Sequence, residues 1–149
     1  MLPNAGDGVV RKGLRMHWYI EALQKYAVFN GRSRRSEFWY FQLFNLLFGL
    51  GITLVFGFIG LALSGGNENS AVYVGDAANI VFALATLLPA IGVLIRRLHD
   101  TDKSGWWVLL GLVPFIGGIV LIVFCVQDSQ PGSNQYGPNP KEATAIAPV

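Results

Sequence analysis

Three stretches of the chain contain no Asp, Glu, Lys or Arg, and each is about as long as a helix that crosses a lipid bilayer. They cover residues 38–63, 77–95 and 106–126. A bilayer core requires about 20 apolar residues in an α-helix. Charged residues make up only 13% of the chain, whereas soluble domains have about 25%. We therefore predict an all-α integral membrane protein with three transmembrane helices, rather than a soluble domain with three buried helices.

The position of the first stretch argues against a cleavable signal peptide. It begins at residue 38, and it is longer than the roughly 7–15 apolar residues of such a peptide. Cys125 is the one cysteine of the chain and lies inside the third stretch. An internal disulfide is therefore excluded, and we interpret this residue as a buried structural thiol.

The basic residues lie mainly on one side of the predicted membrane. Residues 1–37 contain seven Lys or Arg, and residues 96–105 contain three more of the total of 11. The loop at 63–77 contains none. Because cytoplasmic loops are enriched in Lys and Arg, we predict a cytoplasmic N-terminus and, with three spans, a C-terminus outside.

The third stretch contains the sequence VPFIGG at residues 113–118. Proline interrupts the hydrogen bonds of a helix, and paired glycines add flexibility. A kinked transmembrane helix is the simpler interpretation. The alternative is a re-entrant hairpin that returns the following segment to the cytoplasm. Residues 127–149 are polar and rich in Pro and Gly, and we interpret them as an irregular tail.

A short amphipathic helix is predicted before the first span, ending near Asn30 and Gly31. Aromatic and apolar residues recur at helical spacing, and they are Trp18, Ala22, Leu23, Tyr26 and Phe29. Such a helix is suited to lying in the lipid headgroup region. The same residues are equally suited to packing on the protein's own transmembrane helices.

Two charged motifs are expected to meet at the cytoplasmic face, one before the first span and one between the second and third. The candidate binding residues are Arg32, Arg35, Glu37, Arg96, Arg97, His99, Asp100, Lys103 and Trp106. They are compatible with ion pairs that position the helices, for instance between Glu37 and Arg96 or Arg97. They are equally compatible with a site for anionic headgroups or an acidic partner segment, since arginine binds phosphate in a bidentate manner.

Catalysis is the weakest of the interpretations. His99 beside Asp100 is compatible with a general base, but the chain has only two histidines and lacks the spacing of a zinc site. It also lacks the common hydrolase and nucleotide-binding motifs. We therefore predict no catalytic residue, no metal and no cofactor. The basic residues are confined to segments beside the spans, which gives no support to nucleic-acid binding.

Three sequences, KYAVFNGRSRRSEFW, RRLHDTDKSGWW and PGSNQYGPNP, resemble the bacterial proteins grouped as the domain of unknown function 805 family. The resemblance covers residues 16–140 and implies a single membrane domain in the bacterial inner membrane. Family chains begin near the residue that matches Met16, so residues 1–15 are interpreted as an upstream extension. The family usually has glycine where this chain has Asp102. The resemblance implies no established activity.

A polar face on the first span predicts contacts between helices. Gln42, Asn45, Gly49 and Thr53 follow one another at intervals of three or four residues, and small or polar residues at this spacing are typical of helix contacts in lipid. We predict a non-enzymatic accessory or scaffold protein whose basic cytoplasmic face binds anionic headgroups or a partner protein, and a homo-oligomer is compatible with this. The alternative is a headgroup-modifying enzyme or a subunit for small-solute transport.

Overall fold

The structure, a computed structural model, describes residues 16–142 and is all-helical, which confirms the predicted fold class at this level. The helices in chain order are α1 (His17–Gln24), α2 (Arg35–Leu63), α3 (Glu68–Asp100), a 3₁₀ helix (Gly105–Leu112) and α4 (Ile116–Val126). The predicted extension at 1–15 and the end of the predicted tail at 143–149 lie outside the described residues.

Helices α2 and α3 form an antiparallel hairpin, and both are long and apolar enough to cross a membrane. With 29 and 33 residues, they measure about 44 and 50 Å at 1.5 Å per residue. The side chain of Asn67 accepts a hydrogen bond from the Asn69 amide and caps the start of α3. Helix α3 extends beyond both ends of the predicted span 77–95, so its last turn carries the second charged motif.

Small residues bring the backbones of α2 and α3 close together. A Cβ atom added to Gly60 would lie only 2.7 Å from the carbonyl oxygen of Ser70. The predicted polar face of α2 is confirmed at Thr53, whose hydroxyl accepts a hydrogen bond of 2.7 Å from the Asn79 side chain of α3. Gly49 lies beside the same asparagine. Asn45 instead accepts a hydrogen bond of 3.2 Å from Tyr19 of α1.

The kinked third transmembrane helix is not confirmed, because the stretch 106–126 is divided into a 3₁₀ helix and a separate short α-helix. The 3₁₀ helix is followed by a turn at Pro114 and Phe115, where Phe115 has a φ of +63°. Gly117 packs so closely on the carbonyl of Leu110 that a Cβ atom would clash, so the two arms form a tight hairpin. Helix α4 has 11 residues and is about 16 Å long, too short for a bilayer core of about 30 Å.

Both ends of this hairpin lie at the same end of the α2–α3 pair. The amide of Gln130 donates to the carbonyl of Asp100 at 2.9 Å, and the side chain of Asn134 donates to the carbonyl of His99 at 2.8 Å. Residues 127–142 therefore pack against the C-terminal end of α3. The sequence prediction had placed this segment at the opposite end of the helices, which would require a continuous third helix.

Helix α1 packs on the protein's own helices. Tyr19 and Ala22 are buried, and the ring of Tyr19 lies 5.3 Å from that of Phe41 on α2. The helix ends at Gln24 and is shorter than predicted, so Tyr26 and Phe29 lie beyond it and are exposed. The interfacial helix that the sequence suggested is not confirmed, whereas the packing alternative agrees with these contacts.

A left-handed residue ends α3. The amide of Asp102 donates to the carbonyl of His99, and that of Lys103 donates to the carbonyl of Leu98. Asp102 has a φ of +57°. These are the bonds and the backbone conformation of a Schellman motif, in which this position usually belongs to glycine.

Candidate functional site

The buried polar side chains of the described residues gather at one end of the helix pair. They come from the first turn of α2, the last turn of α3 and the segment before α2, with Asn139 from the tail. We call five of them the arginine cap: Arg32, Glu37, Arg96, Arg97 and Asp100. The five cap residues are all among the nine predicted site residues. His99, a sixth, lies next to Asp100 at the end of α3. Arg35, Lys103 and Trp106 lie at the edge.

Asp100 is the buried anion at the centre of the cap. Its Oδ1 atom lies 3.0 Å from Nε of Arg32, and its Oδ2 atom pairs with Arg97. The hydroxyl of Ser129 donates to the same carboxylate at 2.6 Å. The side chains of all three charged residues are almost completely buried. A buried carboxylate requires such compensation, because leaving it unpaired costs several kcal/mol.

Arg97 joins three separate segments of the chain. Its Nε atom donates to the carbonyl of Cys125 at 3.1 Å, and Nη2 donates to the carbonyl of Gln127. Its Nη1 atom reaches the carbonyl of Ser33 at 3.4 Å as well as Asp100. Because Cys125 and Gln127 lie at the end of α4, Arg97 satisfies carbonyls that have no partner within that helix.

Arg32 holds the tail segment. Its guanidinium donates to the carbonyls of Gln130 at 2.5 Å and Gly132 at 2.8 Å. Longer bonds of 3.3 Å reach the carbonyls of Gly137 and Asp100. The segment 130–137 is therefore wrapped around one buried arginine side chain.

Arg96 pairs with Glu37 at 3.1 Å, which confirms one of the two ion pairs anticipated from the sequence. Its Nη1 atom also donates to the carbonyls of Lys25 at 3.0 Å and Val28 at 2.6 Å. These carbonyls follow α1, so the arginine stabilises the turn where α1 ends. Glu37 lies in the first turn of α2, where the helix dipole favours a negative charge.

Arg35 and Lys103 lie at the exposed edge of the cap. Arg35 pairs with Asp128 at 2.8 Å and keeps 40% of its side chain exposed. Lys141 also contacts Asp128, and the hydrogen bonds from Lys141 and from the Ser129 amide lower the pKa of Asp128 below its usual range. Lys103 contacts the carboxamide oxygen of Gln127 at 2.9 Å and the carbonyl of Thr101 at 3.4 Å. Both contacts are neutral, so the positive charge of Lys103 is not balanced by them.

His99 and Trp106 border a cavity beside the cap. His99 is only 7% exposed, and its ring stacks on that of Tyr136, with centroids 3.7 Å apart and planes 2° from parallel. Its Nδ1 atom lies 3.2 Å from the carbonyl oxygen of Gly31. Trp106 is 78% exposed. These three side chains, with Ser104, border a cavity of about 380 Å³.

The sequence reasoning missed the contribution of the tail. Tail residues complete the cap with their side chains or carbonyls, and they include Gln127, Ser129, Gln130, Gly132, Asn134, Tyr136 and Gly137. The tail was interpreted as irregular because it is rich in Pro, Gly and Asn. Its sequence PGSNQYGPNP was one of the three that carried the family resemblance, and that was the available signal of a specific role.

The hydrogen bonds and ion pairs of the cap hold separate segments of the same chain together. Its guanidinium groups are occupied by carboxylates and main-chain carbonyls from the same chain. Within residues 16–142, no group of three or more His, Cys, Asp or Glu side chains is placed to hold a metal ion.

Comparison with known proteins places these motifs in a family. Residues 26–138 match the family described as protein of unknown function (DUF805). The inner membrane protein YhaI of Escherichia coli K12 is 44% identical over 126 residues, which cover 85% of this chain and 97% of the relative. The inner membrane protein YhaH of the same organism is 40% identical over 126 residues, covering 85% and 98%. No solved structure matches the chain.

Proposed function

Since the chain belongs to the DUF805 family of inner-membrane proteins of unknown function, we propose that it is a non-enzymatic accessory or scaffold protein. In this proposal a rigid, basic face at the cytoplasmic surface binds anionic lipid headgroups or an acidic segment of a partner protein. The family and its relatives support a membrane protein. The geometry of the cap supports a rigid, basic face.

The observation that carries the proposal is the division of the basic residues into two sets. Arg32, Arg96 and Arg97 are buried and occupied by internal carboxylates and carbonyls. Arg35 and Lys103 lie at the edge and remain partly exposed. The buried set builds the scaffold, and the edge set presents charge to the membrane surface. Binding therefore belongs to the edge residues, rather than to Arg96 and Arg97.

The proposed topology has two transmembrane helices and a re-entrant hairpin. The Lys- and Arg-rich segments before α2 and after α3 favour the cytoplasm for the cap. Contacts between residues 127–137 and the cap favour the cytoplasm for the tail as well. The hairpin formed by the 3₁₀ helix and α4 then enters the bilayer from the cytoplasmic side and returns to it.

A matched pair of charge substitutions tests the binding proposal. Lys103→Gln removes a cation that has neutral partners, whereas Lys25→Gln removes one that is paired with Glu21 at 2.6 Å. Native mass spectrometry of the full chain measures how much phosphatidylglycerol and phosphatidylcholine each variant retains. We expect Lys103→Gln to lose phosphatidylglycerol and Lys25→Gln to resemble the wild type. Equal retention of phosphatidylglycerol by both variants and the wild type would contradict the binding of anionic lipid at Lys103.

A further inference from the structure

A cavity lies beside the arginine cap, at the level where the apolar part of α3 ends. It is bordered by Ile95 and His99 of α3, Gly105 and Trp106 of the 3₁₀ helix, and Tyr136 of the tail. Ile95 is the last residue of the second uncharged stretch, and tryptophan is enriched where the bilayer meets water. The volume of about 380 Å³ lies toward the lower end for small-ligand sites, so it suits one headgroup.

The hydrogen bond made by His99 determines which nitrogen of its ring remains able to accept a hydrogen bond from a ligand. The carbonyl oxygen of Gly31 only accepts hydrogen bonds, so the Nδ1 atom of His99, 3.2 Å away, carries the proton. In the neutral ring the Nε2 atom is then an acceptor. Within the described part of the chain no hydrogen bond to Nε2 is formed. This atom lies beside Gly105, because a Cβ atom added there would be 3.3 Å from it.

An unpartnered acceptor selects a ligand that carries a donor. A phosphate oxygen has no proton to donate at neutral pH, so it does not pair with Nε2. An ammonium has a donor, but residues 16–37 and 96–142 together carry eight Lys or Arg against six Asp or Glu, which disfavours an added cation. A hydroxyl on an anionic molecule satisfies both conditions, because its donor matches Nε2 and its charge matches the basic surroundings.

We infer that this cavity binds the hydroxyl-bearing headgroup of an anionic phospholipid, with a headgroup hydroxyl donating to Nε2 of His99. The inference rests on the proposed function, since it names the lipid class for the same basic face. Trp106 and Tyr136 also line the cavity. Arg96 and Arg97 bind no lipid in this arrangement and only hold the cap in place.

A comparison of two lipids of equal charge distinguishes the contribution of the headgroup hydroxyl to binding from that of the phosphate. Phosphatidylglycerol and phosphatidylmethanol carry the same phosphodiester, but only the first has headgroup hydroxyls. Native mass spectrometry of the full chain in a defined mixture of the two, with phosphatidylcholine as the uncharged reference, measures the preference. One added hydrogen bond predicts that phosphatidylglycerol is retained about three to ten times more strongly than phosphatidylmethanol.

Two glycines of the 3₁₀ helix provide a matched pair of variants. Gly105→Ala places a methyl group over Nε2 and 3.0 Å from a methyl group of Ile95, whereas Gly111→Ala meets only Leu121 at an ordinary 3.7 Å. We expect Gly105→Ala to abolish the preference for phosphatidylglycerol and Gly111→Ala to keep it. Thermal unfolding of both variants verifies that they are folded.

A measurement on the unmodified protein applies even if Gly105→Ala does not fold. Nitrogen-15 NMR of the labelled histidines is expected to show a shift of the Nε2 signal of His99 when phosphatidylglycerol is added, and none with phosphatidylmethanol. His17 is the one other histidine and serves as the internal reference. An unchanged Nε2 signal would overturn the inference.

The outcomes distinguish this inference from the proposed function. Equal retention of the two anionic lipids, both above phosphatidylcholine, overturns the cavity site and leaves the basic face as a general anionic surface. Retention of neither above phosphatidylcholine overturns both the inference and the proposed binding of anionic lipid, and it leaves an acidic partner segment as the ligand of the basic face. A preference for phosphatidylglycerol that Gly105→Ala leaves unchanged places the hydroxyl elsewhere and also overturns the inference.

Discussion

The α2–α3 pair and the arginine cap are built on opposite distributions of polarity. Along the pair, apolar side chains point outward, and Leu46 and Phe58 are 70% and 72% exposed. In the cap, Arg97 and Asp100 are completely buried. Lipid is as apolar as leucine, so apolar side chains gain little by turning inward within the bilayer. At the cap, the chain must instead provide partners for the carbonyls at its helix ends and for its buried charges.

The two regions therefore use different forces. The helix pair is held by close backbone contact at small residues such as Gly60. The cap is held by guanidinium groups that satisfy carbonyls at the ends of helices. Arg97 binds the carbonyls of Cys125 and Gln127, which the end of α4 leaves without helical partners. Substitutions in the cap are thus expected to cost more than substitutions in the pair.

The largest effect is expected for Arg97→Ala. It leaves Asp100 with one arginine and removes the donor that binds three main-chain carbonyls, so the free energy of unfolding should fall by about 3–5 kcal/mol. Arg97→Lys should not restore it, because a single ammonium lacks the planar set of donors. Thermal unfolding in detergent measures both. Arg35→Ala at the exposed edge is the control and should cost about 1 kcal/mol or less. Equal losses for Arg97→Ala and Arg35→Ala would contradict the distinction between core and edge.

A smaller loss is expected within the helix pair. Gly60→Ala places a Cβ atom 2.7 Å from a backbone oxygen, and such overpacking typically costs about 1–3 kcal/mol. Gly51→Ala is the matched control on the same helix, since nothing lies within 4 Å of its added Cβ. Unfolding by sodium dodecyl sulfate compares the two variants. If both were equally stable, close contact at Gly60 would not hold the pair.

Asp102→Gly is expected to stabilise the protein. The left-handed conformation at this residue costs a residue with a Cβ atom about 1 kcal/mol, and glycine avoids that cost. Asp102→Ala is the control, because it removes the same carboxylate but keeps the Cβ atom. A rise in melting temperature for glycine alone supports the conformational explanation. A similar rise for alanine would assign the effect to the negative charge.

The smallest effect is expected for the hydrogen bond between the two long helices. Asn79→Ala removes the bond to Thr53, and side-chain bonds between helices in membranes contribute about 0.6 kcal/mol on average. A double-mutant cycle with Thr53→Ala isolates the contribution of this pair. A coupling energy as large as the loss from Arg97→Ala would show that polar contacts dominate in both regions.

The sequence predicted the helix pair more successfully than the cap, for physical reasons. Charge-free length identified α2 and the apolar part of α3, and spacing identified Gly49 and Thr53 as contact residues. The hairpin was given only as an alternative, because composition does not show whether Pro114 kinks a helix or ends it. The bonds from Arg97 to the carbonyls of Cys125 and Gln127, and from Arg32 to the tail carbonyls, depend on how the chain returns to α3. No local pattern in the tail encoded that return.

The side of the membrane on which the tail lies is the most direct test. Cys125 is the one cysteine, so a Cys125→Ala protein accepts single cysteines at Ser133 in the tail and Asn69 at the start of α3, both exposed. A membrane-impermeant maleimide is applied to spheroplasts and to inverted vesicles. We predict that Asn69→Cys reacts only in spheroplasts and Ser133→Cys only in inverted vesicles. Reaction of both from the same side would contradict the re-entrant hairpin and the cap that depends on it.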